Sequence, residues 1–365
     1  MGEAIRSPFY RLQADMGATF MEEAGWYWTE GFGDTVAEHR AVREDLGLWD
    51  VSPLNKWDLR GADAVRAAQR LHAGDILGLH DGQVRYGPFC DADGLMVDDG
   101  TVFRFSPEHV WVMTNGSDHA EHFAHTTAGL DVEIEYLGVR LPHVGLLGPR
   151  ARDALAPLCD ADAASLRYFR FFPDPVRVGG IPCWVSRTGF GGELGYEVFC
   201  GPGDAEDLWT VLVAKTGARP FGVEAVEILR IEAGLIILDY DYAAHRLTPF
   251  DLGLGRLVHF GPSDFLGRAA LERVAADPPN RFVTLRLETD ELPEYGAAVT
   301  KDGEPAGTLT SPTTSPLFGP IGLATLGARF ASPGERLDVA VDGGVVRATV
   351  DVLPIYDTEK RRPRS

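Results

Sequence analysis

Cysteine is scarce in this chain: four in 365 residues, at positions 90, 159, 183 and 200. None forms a C-x-x-C pair, which excludes a zinc ribbon and a dithiol redox motif. Such widely spaced thiols are expected to be reduced and buried. The histidines form no H-E-x-x-H zinc helix. His119, His122 and His125 have helical spacing but sit in a polar run, so no metal is expected there. No apolar run reaches the ~18–20 residues that span a bilayer. The first ten residues lack a signal-peptide core, so the expected location is the cytoplasm, away from membranes. Positive charge is short as well. There are 34 basic and 54 acidic residues, a net charge of −20. No Lys/Arg run appears before Lys360–Arg364, which reads as a solvated end. Nucleic acid is therefore not an expected partner, because phosphate binding needs a basic face. An anionic ligand would need local arginines, which screening over ~8 Å makes workable.

Glycine, by contrast, is concentrated where chemistry is expected. Arg187 to Glu197 reads R-T-G-F-G-G-E-L-G-Y-E. Glycines let the backbone turn tightly and approach a flat ligand without Cβ interference. The segment lacks both the phosphate-loop lysine and the dinucleotide G-x-G-x-x-G spacing. Glu193 and Glu197 bracket Tyr196, and a carboxylate beside an aromatic suits a heterocycle with N–H donors better than a phosphate.

The rest of the chain reads as mixed helices and strands without regular βαβ alternation, an α+β pattern. Its length suggests two or three domains. Helices are predicted over 36–46, with Val36, Ala37, Val42 and Leu46 on one face and Gly47 as the stop. Further helices are predicted over 62–71, 118–128 with Ser117 or Asp118 as cap, 149–158, 204–215 and 222–234. Strands are predicted over 97–105, 109–114, within 132–147, and over 195–200. Residues 176–187 read as a hairpin turning at Gly179–Gly180. Ala275 to Asn280 is the best linker, and the valine-rich remainder reads as a small β-barrel or sandwich with a turn at Lys301–Asp302–Gly303. No repeat or low-complexity segment is present.

Several polar residues stand out. Asp98 and Asp99 are adjacent, so on a strand they point to opposite faces. Only one can enter a cavity; a solvated turn acid before Gly100 is the plainer alternative. Asn115 ends an apolar strand and offers one acceptor and two donors, or serves as a turn residue before Gly116. Arg230 lies on a helix, either as a fork for carboxylates or in a salt bridge to Glu227 or Glu232.

Taken in order, these segments resemble the glycine cleavage T-protein family, the tetrahydrofolate-dependent aminomethyltransferases and their demethylase relatives. The resemblance runs through E-H-R-A-V-R-E-D-L-G-L-W-D-V-S (38–52), G-L-M-V-D-D (94–99), L-L-G-P-R-A (146–151), the glycine-rich turn, L-R-I-E-A-G (229–234) and T-L-T-S-P-T-T-S-P (308–316). It implies three domains around a central folate cavity: residues 1–274 as two interleaved α+β subdomains and 281–359 as a C-terminal barrel. It implies Asp99 as the catalytic acid and tetrahydrofolate as cofactor. Glu197 would accept the pterin's paired N–H donors. Asn115, Tyr86, Phe190 and Arg230 would complete the cofactor site, Phe190 without the hydroxyl of the usual tyrosine and Arg230 toward the glutamate carboxylates. The family's histidine, arginine and tryptophan are replaced by Pro53, Val226 and Arg256, and 239–245 departs from its usual run. These departures favour a small methylated donor, hence a demethylase, over an aminomethyl donor on a lipoyl carrier. A folate-binding protein without transfer chemistry is the third reading. A carrier protein or a flavin enzyme is the implied protein partner, any flavin belonging to that partner.

Overall fold

The computed structural model describes residues 3–116 and 119–365. Among these residues the strands form four sheets. A hairpin of Thr19–Glu23 and Trp26–Gly31 comes first. A six-stranded sheet has the spatial order Val176–Val178, Ile181–Ser186, Gly195–Cys200, His143–Leu147, Gly47–Asp50, Arg219–Pro220. A five-stranded sheet runs Gln83–Cys90, Met96–Ser106, His109–Thr114, Asn55–Arg60, Glu133–Tyr136. The last is a closed barrel spanning Asn280–Leu287 to Gly344–Asp351. Its first strand pairs with both Gly319–Gly327 and Gly344–Asp351, and closure removes the exposed edges. No helix among the described residues is long and apolar enough to cross a membrane.

The chain leaves the six-stranded sheet at Asp50, builds the five-stranded sheet, and returns at His143. The two sheets pack face to face. Val84, Phe103, Trp111 and Met113 of one meet Phe199 and Trp184 of the other. Trp111 stacks edge-on against Trp184 at 5.2 Å and Phe103 against Phe199 at 5.9 Å, the geometry that ring quadrupoles favour. Strand alternation then fixes what lies beside this aromatic seam. Tyr86, Asp99, Thr101 and Lys56 share the face of Phe103. Glu197 and His143 share the face of Phe199. A second apolar cluster joins Ile231, Ile236, Tyr242 and Leu252 to Phe282, Ile321 and Leu323 of the barrel.

Two local expectations are corrected. The helix Thr35–Glu44 starts at Asp34, whose carboxylate accepts from the Ala37 amide at 2.9 Å. Its buried face is not the apolar stripe; it carries Glu38, His39, Val42 and Arg43, while Val36 is exposed. Those polar residues are inside because they meet buried partners described below. Gly47 opens a strand rather than ending a helix. A Cβ there would lie 2.6 Å from Val42 Cγ2 and 2.7 Å from Phe221 Cε1. The hairpin at Gly179 and Gly180 forms as read, with φ of 58° and 90° at its two turn residues. The helix read over 118–128 is observed as Ala120–Thr126; its proposed caps, Ser117 and Asp118, lie outside the described residues.

Gly47→Ala should destabilise the fold by ~1–3 kcal/mol through overpacking. Urea unfolding checks this. An unchanged midpoint would mean that the Val42–Phe221 contact gives way freely.

Candidate active site

Met96–Ser106 brings the two aspartates into different environments. Asp98 is fully buried on one side. It accepts from Asn115 Nδ2 at 2.9 Å, the Gly116 amide at 2.9 Å and the Asp99 amide at 2.7 Å. His119 Nε2 lies 2.7 Å from its Oδ2. Such a set leaves little capacity for a ligand, so Asp98 holds the strand end together. Asp99 faces the other way. Its Oδ2 accepts from Tyr86 Oη at 2.9 Å and its Oδ1 from Tyr242 Oη at 2.6 Å. Burial, with the charge of Asp98 behind it, pushes Asp99 up to about 7. Near neutral pH such a group both gives and takes a proton.

Glu197 stands on the facing sheet. Thr188 Oγ1 donates to its Oε2, and His143 Nε2 lies 3.9 Å from its Oε1. Burial raises the Glu197 carboxyl, opposed by Thr188 and by the charge of Lys56. His143 is wholly buried, stacked on Phe199 at 4.5 Å, and neither ring nitrogen has a hydrogen-bond partner. Lys56 is buried too, donating to the Ser52 and Leu54 carbonyls at 2.8 and 2.9 Å. Burial pushes it down to about 7, against the attraction of Asp50 and Glu197. The wall around Glu197 therefore keeps unspent polar capacity in a dry setting.

Arg43 holds the glycine-rich turn. It donates to the Gly191 carbonyl at 2.6 Å and to Glu232 at 2.7 and 2.9 Å, with Glu193 at 3.3 Å. Glu232 also meets His39 at 3.0 Å and accepts from Ser315 at 2.5 Å on the barrel. Burial opposes its charge, but His39 and Arg43 hold the carboxyl below its ordinary range.

The other expected site residues are placed as follows. Tyr86 spends its hydroxyl on Asp99. Asn115 commits its NH2 to Asp98 and to the Asp99 carbonyl at 2.9 Å, leaving its amide oxygen for a ligand. Phe190 packs, partly exposed, beside Val42, Trp49 and Leu147. Arg230 does not provide the open fork expected of it. It is wholly buried, with every donor spent: on Glu227, on Asp241 at 2.6 Å, on Ser311 at 2.8 Å and on the Leu235 carbonyl. Buried Asp241 and half-buried Glu227 need a counter-charge, and Arg230 is it. Glu227 was among the alternatives in the sequence; Asp241 was not. The contact that the sequence did not reveal is that of Tyr242, in the divergent 239–245 run, with Asp99.

Interleaved sheets that carry Asp99 and Glu197 on facing walls, joined to a closed barrel, define an α+β protein of three packed parts. The family model described as the GCVT N-terminal domain matches residues 9–261, and that for the glycine cleavage T-protein C-terminal barrel domain matches 280–357. The chain belongs to the glycine cleavage T-protein family. It is 34% identical over 362 residues to an aminomethyltransferase of Streptomyces avermitilis, covering 96% of each chain. It is 33% identical to an aminomethyltransferase of Geobacillus thermodenitrificans, over 97% of this chain and 99% of that one. Its fold matches the glycine cleavage system aminomethyltransferase T of Bartonella henselae with a TM-score of 0.88 at 24% identity, over 97% of this chain and 98% of that one. Tetrahydrofolate is the family's cofactor. The half-satisfied Glu197 carboxylate and the unpartnered His143 fit a heterocycle edge rich in N–H donors.

Folding raises Asp99 from an unfolded value near ~3.9 to about 7, so the native state binds more protons between those values. Above pH ~7 the native state bears the full cost of ionising this acid, and below ~4 it bears none. Asp99→Asn should therefore be more stable than the parent at pH 8, by roughly 2–4 kcal/mol. The gap should close as pH falls toward 4. Denaturation curves at both pH values check this; equal stability at pH 8 would place Asp99 in a solvated setting.

Proposed function

We propose that the chain is a tetrahydrofolate-dependent aminomethyltransferase of the glycine-cleavage type, with residues 1–274 holding the cofactor and 281–359 forming the barrel. The observation that carries this is the opposition of Asp99 and Glu197 on facing sheet walls, beside one aromatic seam. Relatives named aminomethyltransferases, matched over nearly their whole length, support it. They favour aminomethyl transfer over the demethylation that Pro53, Val226 and Arg256 suggested.

Tetrahydrofolate supplies the ring amine that takes up the one-carbon unit. Glu197 accepts the pterin's adjacent N–H donors, with Thr188 fixing its second oxygen. Phe190 offers a ring face and Asn115 its amide oxygen. With Arg230 spent, the cations left for the glutamate carboxylates are exposed Arg256, half-buried Lys360 and exposed Arg364. Burial pushes Lys360 down to about 8, and the charges of Arg256 and Arg364 add to this. Arg256 also bears on Tyr86 and Tyr168, which puts this basic group beside the catalytic wall. Asp99 holds or releases a proton at the reacting centre, an effect typically worth ~10²–10⁴-fold. The dry seam excludes water that would intercept the one-carbon unit.

Tetrahydrofolate turnover should be measured with an aminomethylated lipoyl carrier protein and with a panel of methylated amines, sulfonium compounds and methoxy-aromatics. Turnover with the carrier alone is the expected result. Turnover with a methylated compound alone would restore the demethylase reading. Folate binding without either would favour a binding protein. Asp99→Asn should cut turnover by ~10²-fold or more while leaving folate affinity near normal. Glu197→Gln should weaken folate binding by ~1.5–3 kcal/mol in calorimetry; parental affinity would remove Glu197 from the site.

A further inference from the structure

The carboxylate of Asp99 is satisfied from two directions that differ in kind. Tyr86 comes from the adjacent strand, Gln83–Cys90, and is fixed by the sheet itself. Tyr242 comes from the turn after the helix Val223–Glu232, a segment with no sheet to hold it. It is nonetheless buried, its ring set in the apolar cluster shared with Ile321 and Leu323 of the barrel.

What fixes this turn is the residue beside Tyr242. Asp241 is buried and its carboxylate accepts four hydrogen bonds. Its Oδ2 takes Arg230 Nη1 at 2.6 Å and the Ile237 amide at 3.0 Å. Its Oδ1 takes Thr310 Oγ1 and Ser311 Oγ, each at 2.7 Å. Ser311 in turn accepts from Arg230 Nη2 at 2.8 Å. The turn closes on itself through the Asp239 amide to the Tyr242 carbonyl at 2.8 Å. Thr310 and Ser311 belong to the barrel strand Glu304–Ser315. A continuous polar path therefore leads from the barrel, through Asp241, to the residue that touches Asp99. It uses Arg230, which accounts for that side chain's burial and its lack of a free donor.

We propose that Tyr242 is a positioning residue for Asp99, and that the barrel, through Thr310, Ser311 and Asp241, holds it in place. This rests on the reading of Asp99 as the acid of the transfer site. Tyr242 acts by donating to the ionised carboxylate, which favours that form and fixes its orientation. Other groups bear on Asp99 from the elements around it. Asp98 on its own strand and Asp241 on the turn raise it; Tyr86 on the next strand lowers it. His119 faces Asp98 rather than Asp99, and Arg256 bears on Tyr86. Removing the Tyr242 hydroxyl leaves all of these unchanged in charge.

The test reads Asp99 directly, without turnover. Aspartate carboxyl carbons are labelled with ¹³C in the full chain, and the Asp99 signal is assigned by its loss in Asp99→Asn. Its titration is followed in the parent, in Tyr242→Phe, and in a Thr310→Val/Ser311→Ala double variant, each checked for folding by circular dichroism. Tyr242→Phe should move the midpoint up by ~1 pH unit. The double variant, which changes no charge, should move it in the same direction by less. An unmoved midpoint in folded Tyr242→Phe would overturn the proposal. A shift there with none in the double variant would overturn the barrel's part in it. Folate turnover is recorded in parallel. If the parent turned over no donor while the midpoint moved as stated, the functional reading would fail and the positioning role would stand.

Discussion

Asp99 is a carboxylate cut off from bulk water and satisfied in the protein by two phenol hydroxyls, one on each oxygen. Burying a charge in this way costs several kcal/mol unless it is paired or neutralised. Among the described residues no cation pairs with Asp99. The fold sets a second carboxylate, Asp98, immediately behind it, and gives that one the strong hydrogen bonds. The result is an acid whose charge is disfavoured and whose orientation is fixed. Everything around the site serves one of those two ends. The aromatic seam keeps water out, Tyr86 is placed by strand register, and Tyr242 is placed by a turn that the barrel anchors.

The same logic of buried charge joins the parts of the molecule. Arg43 ties the first long helix to the glycine-rich turn and to Glu232; Ser315 brings the barrel to the same carboxylate. Arg230 and Asp241 form a second joint, between the helix Val223–Glu232 with its following turn and the barrel. Removing one partner of such a pair strands the other, at a typical cost of ~3–5 kcal/mol. These joints are geometrically exacting where an apolar contact is forgiving. They fix how the glycine-rich turn, the Tyr242 turn and the two sheets meet, around Asp99 and Glu197.

Much of this was legible in the residues. Strand periodicity alone separated Asp98 from Asp99, and the structure turns them opposite ways. Gly179–Gly180 declared its hairpin, because two consecutive positive φ angles suit that turn. The glycine-rich turn put Glu197 on a strand, and the structure places that strand against the facing sheet. What stayed hidden depended on distant partners. The helix Thr35–Glu44 looked amphipathic by its apolar residues, yet its buried face is charged because Glu232, nearly two hundred residues away, lies against it. Arg230 offered a fork by its chemistry; only the folded turn shows that Asp241 and Ser311 consume it. Tyr242 acquires meaning only from tertiary contact with Asp99, and local spacing carries no trace of that. His143 is similar, a strand histidine whose unpaired nitrogens matter because Glu197 lies 3.9 Å away.

Asp99, kept dry and uncompensated, is the group proposed to manage a proton during one-carbon transfer. The most direct measurement of that role is the pH dependence of single-turnover transfer to tetrahydrofolate in the parent protein, with Asp99→Asn run alongside. The account predicts an inflection close to the value of about 7 that the site imposes on Asp99, and its disappearance in the variant. A rate that is flat from pH ~5.5 to ~8.5, or an inflection that survives Asp99→Asn, would contradict it.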